Sequence, residues 1–292
     1  MPDSNRRSAA LGLLLVVLFW GGNFTFTKLA LAEIPPLAFS ALRFGGASGL
    51  FWLLVRNLEK PEPLPPGAFW PLLALGVVGN TIYQICFVEG LARTSVTNST
   101  LILASMPPAV TVLSGALGLE RISSRQRWAV AIATAGVLVV VGARGLEVSG
   151  ARLGDLLMLA AVGCWSAYTL GLRKHPLPMS SLRLTAWTMY LGTPGLVLVG
   201  VPQLVRLDWG AVSARAWGGL AYSAVLSLLA AYVLWNRAVR VLGPSRAAVT
   251  TCLTPLVATG TAMLFLGEQP SIEHVIGGVL VIGGVLLATV RR

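Results

Sequence analysis

Charge is what this sequence has least of. Only 11% of its 292 residues are Asp, Glu, Lys or Arg, against roughly 25% in a soluble domain. A chain of this size folded in water would have too few charges to cover its surface, so lipid must be its solvent. Cysteine is scarce as well. Cys86, Cys164 and Cys252 are odd in number, lie inside apolar runs and show no CxxC spacing, which argues against a disulfide framework or a zinc site. They read as small buried apolar residues. The two histidines, His175 and His274, stand beside loops and far apart, so no His-based metal set or nucleophile is visible. There is no HExxH, no carboxylate pair and no histidine within a span, which excludes an intramembrane enzyme.

What is present is apolar length. Hydrophobic residues make up 55% of the chain and the mean hydropathy is +0.76. A hydrocarbon core of roughly 30 Å needs about 20 apolar helical residues per crossing. Ten segments qualify, at about residues 9–31, 36–55, 69–91, 97–119, 128–143, 153–172, 181–201, 216–239, 247–266 and 275–290. The loops between them are short, and none holds a separate domain. Arg6-Arg7 followed by an apolar run mimics a signal peptide, with Ala30-Leu31-Ala32 as a cleavage motif. The run extends well past a signal h-region, so a retained first helix is expected.

Basic residues orient the spans. The excess of 22 Lys+Arg over 11 Asp+Glu, a formal +11, reflects basic loops on one face rather than nucleic-acid binding. With the amino terminus in the cytoplasm, fourteen Lys and Arg fall on that side and six on the other. Both termini are therefore expected to be cytoplasmic.

The chain also resembles itself. A shift of 148 residues aligns Pro107 with Pro255, Thr111 with Thr259, Glu120 with Glu268, and Gly136-Val137-Leu138 with Gly284-Val285-Leu286. Trp20 and Trp165 occupy equivalent places in the first and sixth spans. The halves, residues 1–148 and 149–292, would each hold five spans. Five is odd, so they cross in opposite directions, an arrangement that recurs in secondary transporters with substrate held between the halves.

These residues also resemble a known family. Phe19-Trp20-Gly21-Gly22-Asn23-Phe24, Leu42-Arg43-Phe44, Pro107 with Glu120, and Gly243-Pro244-Ser245-Arg246-Ala247 ahead of Thr254-Pro255 and Gly267-Glu268 are similar to the motifs of EamA-type members of the drug/metabolite transporter superfamily. The similarity covers essentially the whole chain, and the overall pattern looks closest to YddG-type amino-acid exporters. The resemblance implies ten helices as two inverted repeats around a central cavity, and export of amino acids or similar metabolites from a bacterial inner membrane. It implies no cofactor, no nucleic-acid partner and a monomer, with a small molecule and the bilayer as partners.

Polar and aromatic residues within the spans are the candidate site. Trp20, Asn23 and Thr27 share a face of the first helix; Tyr83 and Gln84 stand in the third, Trp165 and Tyr168 in the sixth, Thr254 in the ninth. With Ser105, they are the candidate substrate-binding residues: rings for a side chain, amides and hydroxyls for a polar end. Thr and Ser also commonly bond their own helix's carbonyls, and Trp and Tyr form interfacial belts. Arg43 lies inside the second span, to bind a substrate carboxylate or, the preferred reading, to snorkel and pair with carbonyls. Pro107 and Pro255 break matched hydrogen bonds and are candidate hinges; Glu120 and Glu268 close equivalent helices as gate or loop anchors. Gly45, Gly49, Gly277, Gly278, Gly283 and Gly284 are assigned to close helix packing. Every acidic residue falls in a tail, a loop or near a helix end, so the expected carrier is facilitated, without ion coupling. The alternatives are a carrier of another metabolite or drug-like compound, proton-coupled or not, and a channel.

Overall fold

The computed structural model describes residues 3–60, 62–118, 122–142, 150–174, 177–242 and 250–289, and all regular structure among them is helical. The physical reason is the solvent. Lipid offers no hydrogen bonds, so the backbone must satisfy its own, and a helix does this within one segment. The helices are α1 (Asp3–Leu31), α2 (Pro36–Leu58), α3 (Phe69–Arg93), α4 (Val96–Ala116), α5 (Ser124–Gly142), α6 (Gly150–Lys174) and α7 (Ser181–Arg206). Next comes α8, which runs from Ala214 through the π-helical stretch Tyr222–Ala230 into Ala231–Leu242, followed by α9 (Thr251–Leu266) and α10 (Ile272–Thr289).

Eight of these helices, α1 to α8, are long and apolar enough to cross a membrane; α9 and α10 are shorter apolar helices. The ten crossings expected from sequence are thus matched in full length by eight. The expected start of the ninth, residue 247, lies outside the described residues. The outer surface carries many large apolar side chains. Leu198, Val205 and Leu264 are 74%, 78% and 82% exposed, which in water would cost what burial normally gains; against acyl chains it costs nothing.

Packing pairs distant segments. The most extensive pairings are α5 with α10, α2 with α7, α3 with α6, and α1 with α8 and α9. The contact between α5 and α10 depends on small residues: a Cβ on Gly136 would meet the Gly277 carbonyl at 2.7 Å, and one on Gly284 would meet that of Ala129 at 2.7 Å. Gly277 likewise packs on Gly136, whereas Gly278 is in looser contact with Leu101. For Gly45, Gly49 and Gly283 the packing expectation fails, because a Cβ there would meet nothing within 4 Å.

Among the described residues two helices carry π-helical stretches, Val77–Ile82 in α3 and Tyr222–Ala230 in α8. Such stretches loosen the hydrogen-bond ladder and often mark functional positions. Two others are interrupted beside proline. In α4 the chain turns at Ala104–Ser105, with Ser105 N bonding Ile102 O at 3.0 Å, before Met106–Ala116 resumes. In α9 the 3₁₀ turn Thr251–Leu253 precedes Thr254–Leu266. Pro107 and Pro255 therefore occupy first-turn positions of restarted helices, where the missing N–H has no intrahelical partner to lose.

Candidate functional site

Aromatic rings from α1, α3, α6 and α8 meet inside the bundle. The π-helical stretch of α3 ends at Ile82, and Tyr83 and Gln84 follow directly. Tyr83 stacks on Phe87 (6.1 Å between centroids) and meets Trp165 at 5.3 Å; Trp165 meets Tyr168 at 5.3 Å. Gly79 makes room for this, since a Cβ there would come within 2.7 Å of Tyr168 Cγ. From α1, Phe24 reaches Phe87 (5.6 Å), and Trp20 lies 6.4 Å from Tyr232 and 5.3 Å from Trp235 of α8. Tyr232 stands within electrostatic reach of Tyr83, Tyr168 and Arg43.

The predicted residues thus separate into two groups. Tyr83, Gln84, Trp165 and Tyr168 converge, and Trp20 joins them through Tyr232. Trp20 is also tethered, its Nε1 donating to Ser227 O at 3.1 Å within the π-helical stretch of α8. The others stand apart or are committed elsewhere. Asn23 is buried and its Oδ1 accepts from Ser223 Oγ at 2.6 Å, with Thr27 Oγ1 at 3.4 Å, binding α1 to α8. Ser105 Oγ donates to Ile102 O of its own helix at 2.6 Å. Thr254 sits beside Gly21 with its hydroxyl buried and without a partner.

One residue of this region escaped the sequence reading, and a second differs from the preferred expectation. Tyr232 was not singled out, although the 148-residue shift carries Tyr83 to within one position of it. The preferred expectation for Arg43 was snorkelling, yet it is 3% exposed and, among the described residues, bonds no backbone carbonyl. Its Nη1 donates to Gln84 Oε1 at 3.5 Å, and its Nε has no partner.

Polar clusters close the two ends of the bundle. Where α1 and α3 end, Lys28 Nζ donates to Leu91 O at 2.9 Å and to Thr94 O. Asp155, wholly buried, accepts from Thr94 Oγ1 at 2.5 Å and from Asn98 Nδ2 at 3.1 Å, and Asn98 Oδ1 lies 2.6 Å from His274 Nε2. Glu268 bonds Val96 N (2.7 Å), Thr97 N (3.1 Å) and Thr97 Oγ1 (3.0 Å), capping α4; a carboxylate there satisfies orphan donors and complements the helix dipole. Its counterpart Glu120 lies outside the described residues. At the same end Glu33 accepts from Ser213 N at 2.6 Å and Ser213 Oγ at 2.7 Å, and these bonds hold its carboxyl below the usual carboxylate range. At the opposite end Arg183 pairs with Glu62, and Ser180 Oγ donates to Glu59 Oε1 at 2.5 Å. Among the described residues no group of three His, Cys, Asp or Glu could hold a metal.

Comparison with known proteins places this geometry in context. The model of the EamA-like transporter family matches residues 7–142 and again 152–290. An uncharacterized transporter of Archaeoglobus fulgidus is 30% identical, over 96% of each chain. YyaM, an uncharacterized transporter of Bacillus subtilis, is 27% identical over 95% of this chain and 92% of its own. A probable amino-acid metabolite efflux pump of Salmonella typhimurium is 25% identical over 97% and 95%. A crystal structure 20% identical in sequence matches with a TM-score of 0.64, over 97% of this chain and 98% of the other, a likeness of fold.

Proposed function

Because the chain belongs to the EamA-like transporter family, within the drug/metabolite transporter superfamily, we propose that it is a carrier exporting amino acids and similar small metabolites. It works by alternating access across a bacterial inner membrane. The observation that carries the reading is the interior convergence of Tyr83, Trp165 and Tyr168 with Gln84. Aromatic faces receive an apolar side chain or an ammonium, and the amide orients the polar end. The Salmonella relative supports amino acids as the cargo class.

The proposed architecture is ten crossings in two inverted halves, residues 1–148 and 149–292, around that site. Its support is a symmetry of packing. Exchanging each helix for the one five places along leaves α2–α7, α5–α10 and α4–α9 as they are, and turns α3–α6 into α8–α1 and α4–α6 into α9–α1. The two π-helical stretches exchange as well. Tyr83, Gln84, Trp165 and Tyr168 are proposed as the core of the substrate-binding site, with Trp20, Asn23, Ser105 and Thr254 proposed at its periphery. Pro107 and Pro255, each beside an interrupted helix, are proposed hinges. Glu268, through its cap on α4, and Glu120 are proposed as loop anchors of the gates. The protein acts as a monomer with cytoplasmic termini, needing no cofactor or metal.

Transport is proposed to be facilitated, without ion coupling. Asp155 and Glu268 are engaged by Thr94, Asn98 and the start of α4 at one end of the bundle, away from the aromatic site. The deciding experiment is uptake and counterflow of a labelled neutral and aromatic amino-acid panel in proteoliposomes. Saturable counterflow with unchanged net flux after collapse of the proton gradient is expected. Accumulation abolished by an uncoupler would establish the proton-coupled alternative, and no amino-acid counterflow would refute the cargo.

A further inference from the structure

Among the described residues no acid pairs with Arg43, whose guanidinium lies 5.6 Å from the centroid of the neighbouring Phe44 ring. Arg43 lies in α2, 3% exposed, and its one hydrogen bond is the long contact with Gln84. A guanidinium carries five N–H donors and keeps its proton in proteins. Most of the described acids are engaged elsewhere: Glu33 with Ser213, Glu59 and Glu62 with Arg183, Glu89 with Arg93, Asp155 with Thr94 and Asn98, Asp208 with Gly210, and Glu268 with the start of α4. A second observation lies one turn away on the same helix face. Ser40 is wholly buried and its hydroxyl also has no partner. Buried polar groups are as a rule satisfied, and a buried charge left alone is costly. Two unsatisfied donors one turn apart on the same helix face, one of them cationic, fit a place that an anion fills.

The groups facing it fit the rest of such a ligand. The phenols of Tyr83 and Tyr232 lie within electrostatic reach of Arg43, and Trp165 and Tyr168 continue the aromatic wall. We infer that Arg43, with Ser40 and Gln84, binds the carboxylate of the transported molecule, whose side chain lies along Tyr83, Trp165, Tyr168 and Tyr232. The inference rests on the carrier reading and adds the charge of the cargo. The planar fork matches a carboxylate with two parallel bonds. The same charge repels organic cations, so amines lacking a carboxylate are poor substrates.

The test uses the full chain in lipid nanodiscs, titrated with L-phenylalanine, L-leucine, 3-phenylpropanoate, phenethylamine and L-phenylalaninamide. Binding is followed by tryptophan fluorescence and by thermal unfolding. The carboxylates should bind at least about tenfold more tightly than the amine and the amide. Arg43→Gln should erase that preference. Arg43→Lys should fall between, because an ammonium keeps the charge and loses the fork, and it serves as the test if the glutamine variant does not fold. Without ligand, Arg43→Gln should unfold at a higher temperature than the native protein, since it removes a buried charge that has no ion-pair partner among the described residues; a merely structural arginine would give the reverse. Undiminished carboxylate binding by Arg43→Gln, or no Arg43-dependent binding of any carboxylate in the panel, overturns the inference. Arg43-dependent binding of 3-phenylpropanoate with no amino-acid binding keeps the anion site and refutes the amino-acid reading. Amino-acid transport undiminished in Arg43→Gln does the opposite.

Discussion

The contact between α3 and α6 and the contact between α8 and α1 are built alike and furnished differently. Each brings a helix with a π-helical stretch against a long unbroken one. In the first, the interface is ring against ring, with Trp165 between Tyr83 and Tyr168. In the second, rings meet as well, Trp20 with Tyr232 and Trp235 and Phe26 with Tyr222, but hydrogen bonds also cross: Asn23 to Ser223, Thr27 to Ser223, Trp20 to Ser227 O, and Tyr222 Oη to Leu18 O at 3.2 Å. The tryptophans at equivalent sequence positions have therefore diverged. Trp20 is tied to a backbone carbonyl, and Trp165 is held only by its neighbours' faces. One contact is furnished to receive a ligand and the other to hold two helices together.

That contrast can be broken by substitution, with the largest effect expected at Trp165. Trp165→Ala should weaken substrate binding by about tenfold or more with little change in thermal stability, whereas Trp20→Phe should lose about 1 kcal/mol of stability with its hydrogen bond. Equal effects of the two on affinity, read in nanodisc titrations, would abolish the distinction. The two glycines under the tyrosines come next. Gly79→Ala drives a Cβ into the base of the Tyr168 ring, whose Cγ would be 2.7 Å away; Gly22→Ala meets the hydroxyl tip of Tyr222, whose Cζ is 3.2 Å away. A ring base cannot step aside and a ring tip can. Gly79→Ala should cost about 1–3 kcal/mol and slow transport, and Gly22→Ala less, as measured by thermal unfolding in detergent and by counterflow.

The caps give smaller effects. Glu268→Gln should lower stability by about 1 kcal/mol, because a neutral amide caps α4 less well than a carboxylate. An equal loss for Glu120→Gln would extend the likeness of the halves to that position. Glu33 gives the smallest effect, and it depends on pH. Its carboxyl is held below its usual value by the bonds from Ser213, so its contribution is present above the ordinary glutamate pKa of about 4.3. It is lost as the pH falls through the lower value of the folded protein. The difference in unfolding temperature between the native protein and Glu33→Gln should be constant near neutrality and vanish in acid; a difference that grows in acid would reverse the assignment.

Much of this molecule was legible in its one-dimensional pattern. Lipid demands long apolar helices, so the spans stand out as runs, and a helix boundary such as Pro36 or Ser181 can be read from the charges and prolines beside it. The internal repeat located Trp165 from Trp20, with a small gap, and its 148-residue shift pointed within one position of Tyr232 without its being recognised. What sequence could not decide was the partner of each polar group. Asn23 and Gln84 are both buried amides, yet one is spent on Ser223 and the other faces Arg43. Ser105 and Thr254 are both hydroxyls within two residues ahead of a proline, yet one bonds its own helix and the other has no partner among the described residues. Arg43 and Arg183 are both cations set in helices, and only Arg183 finds acids. Spacing along a helix states which face a side chain occupies, because the helix is a local structure. Which helix lies opposite is a matter of packing between segments more than a hundred residues apart. That packing left a buried cation unanswered beside an aromatic wall.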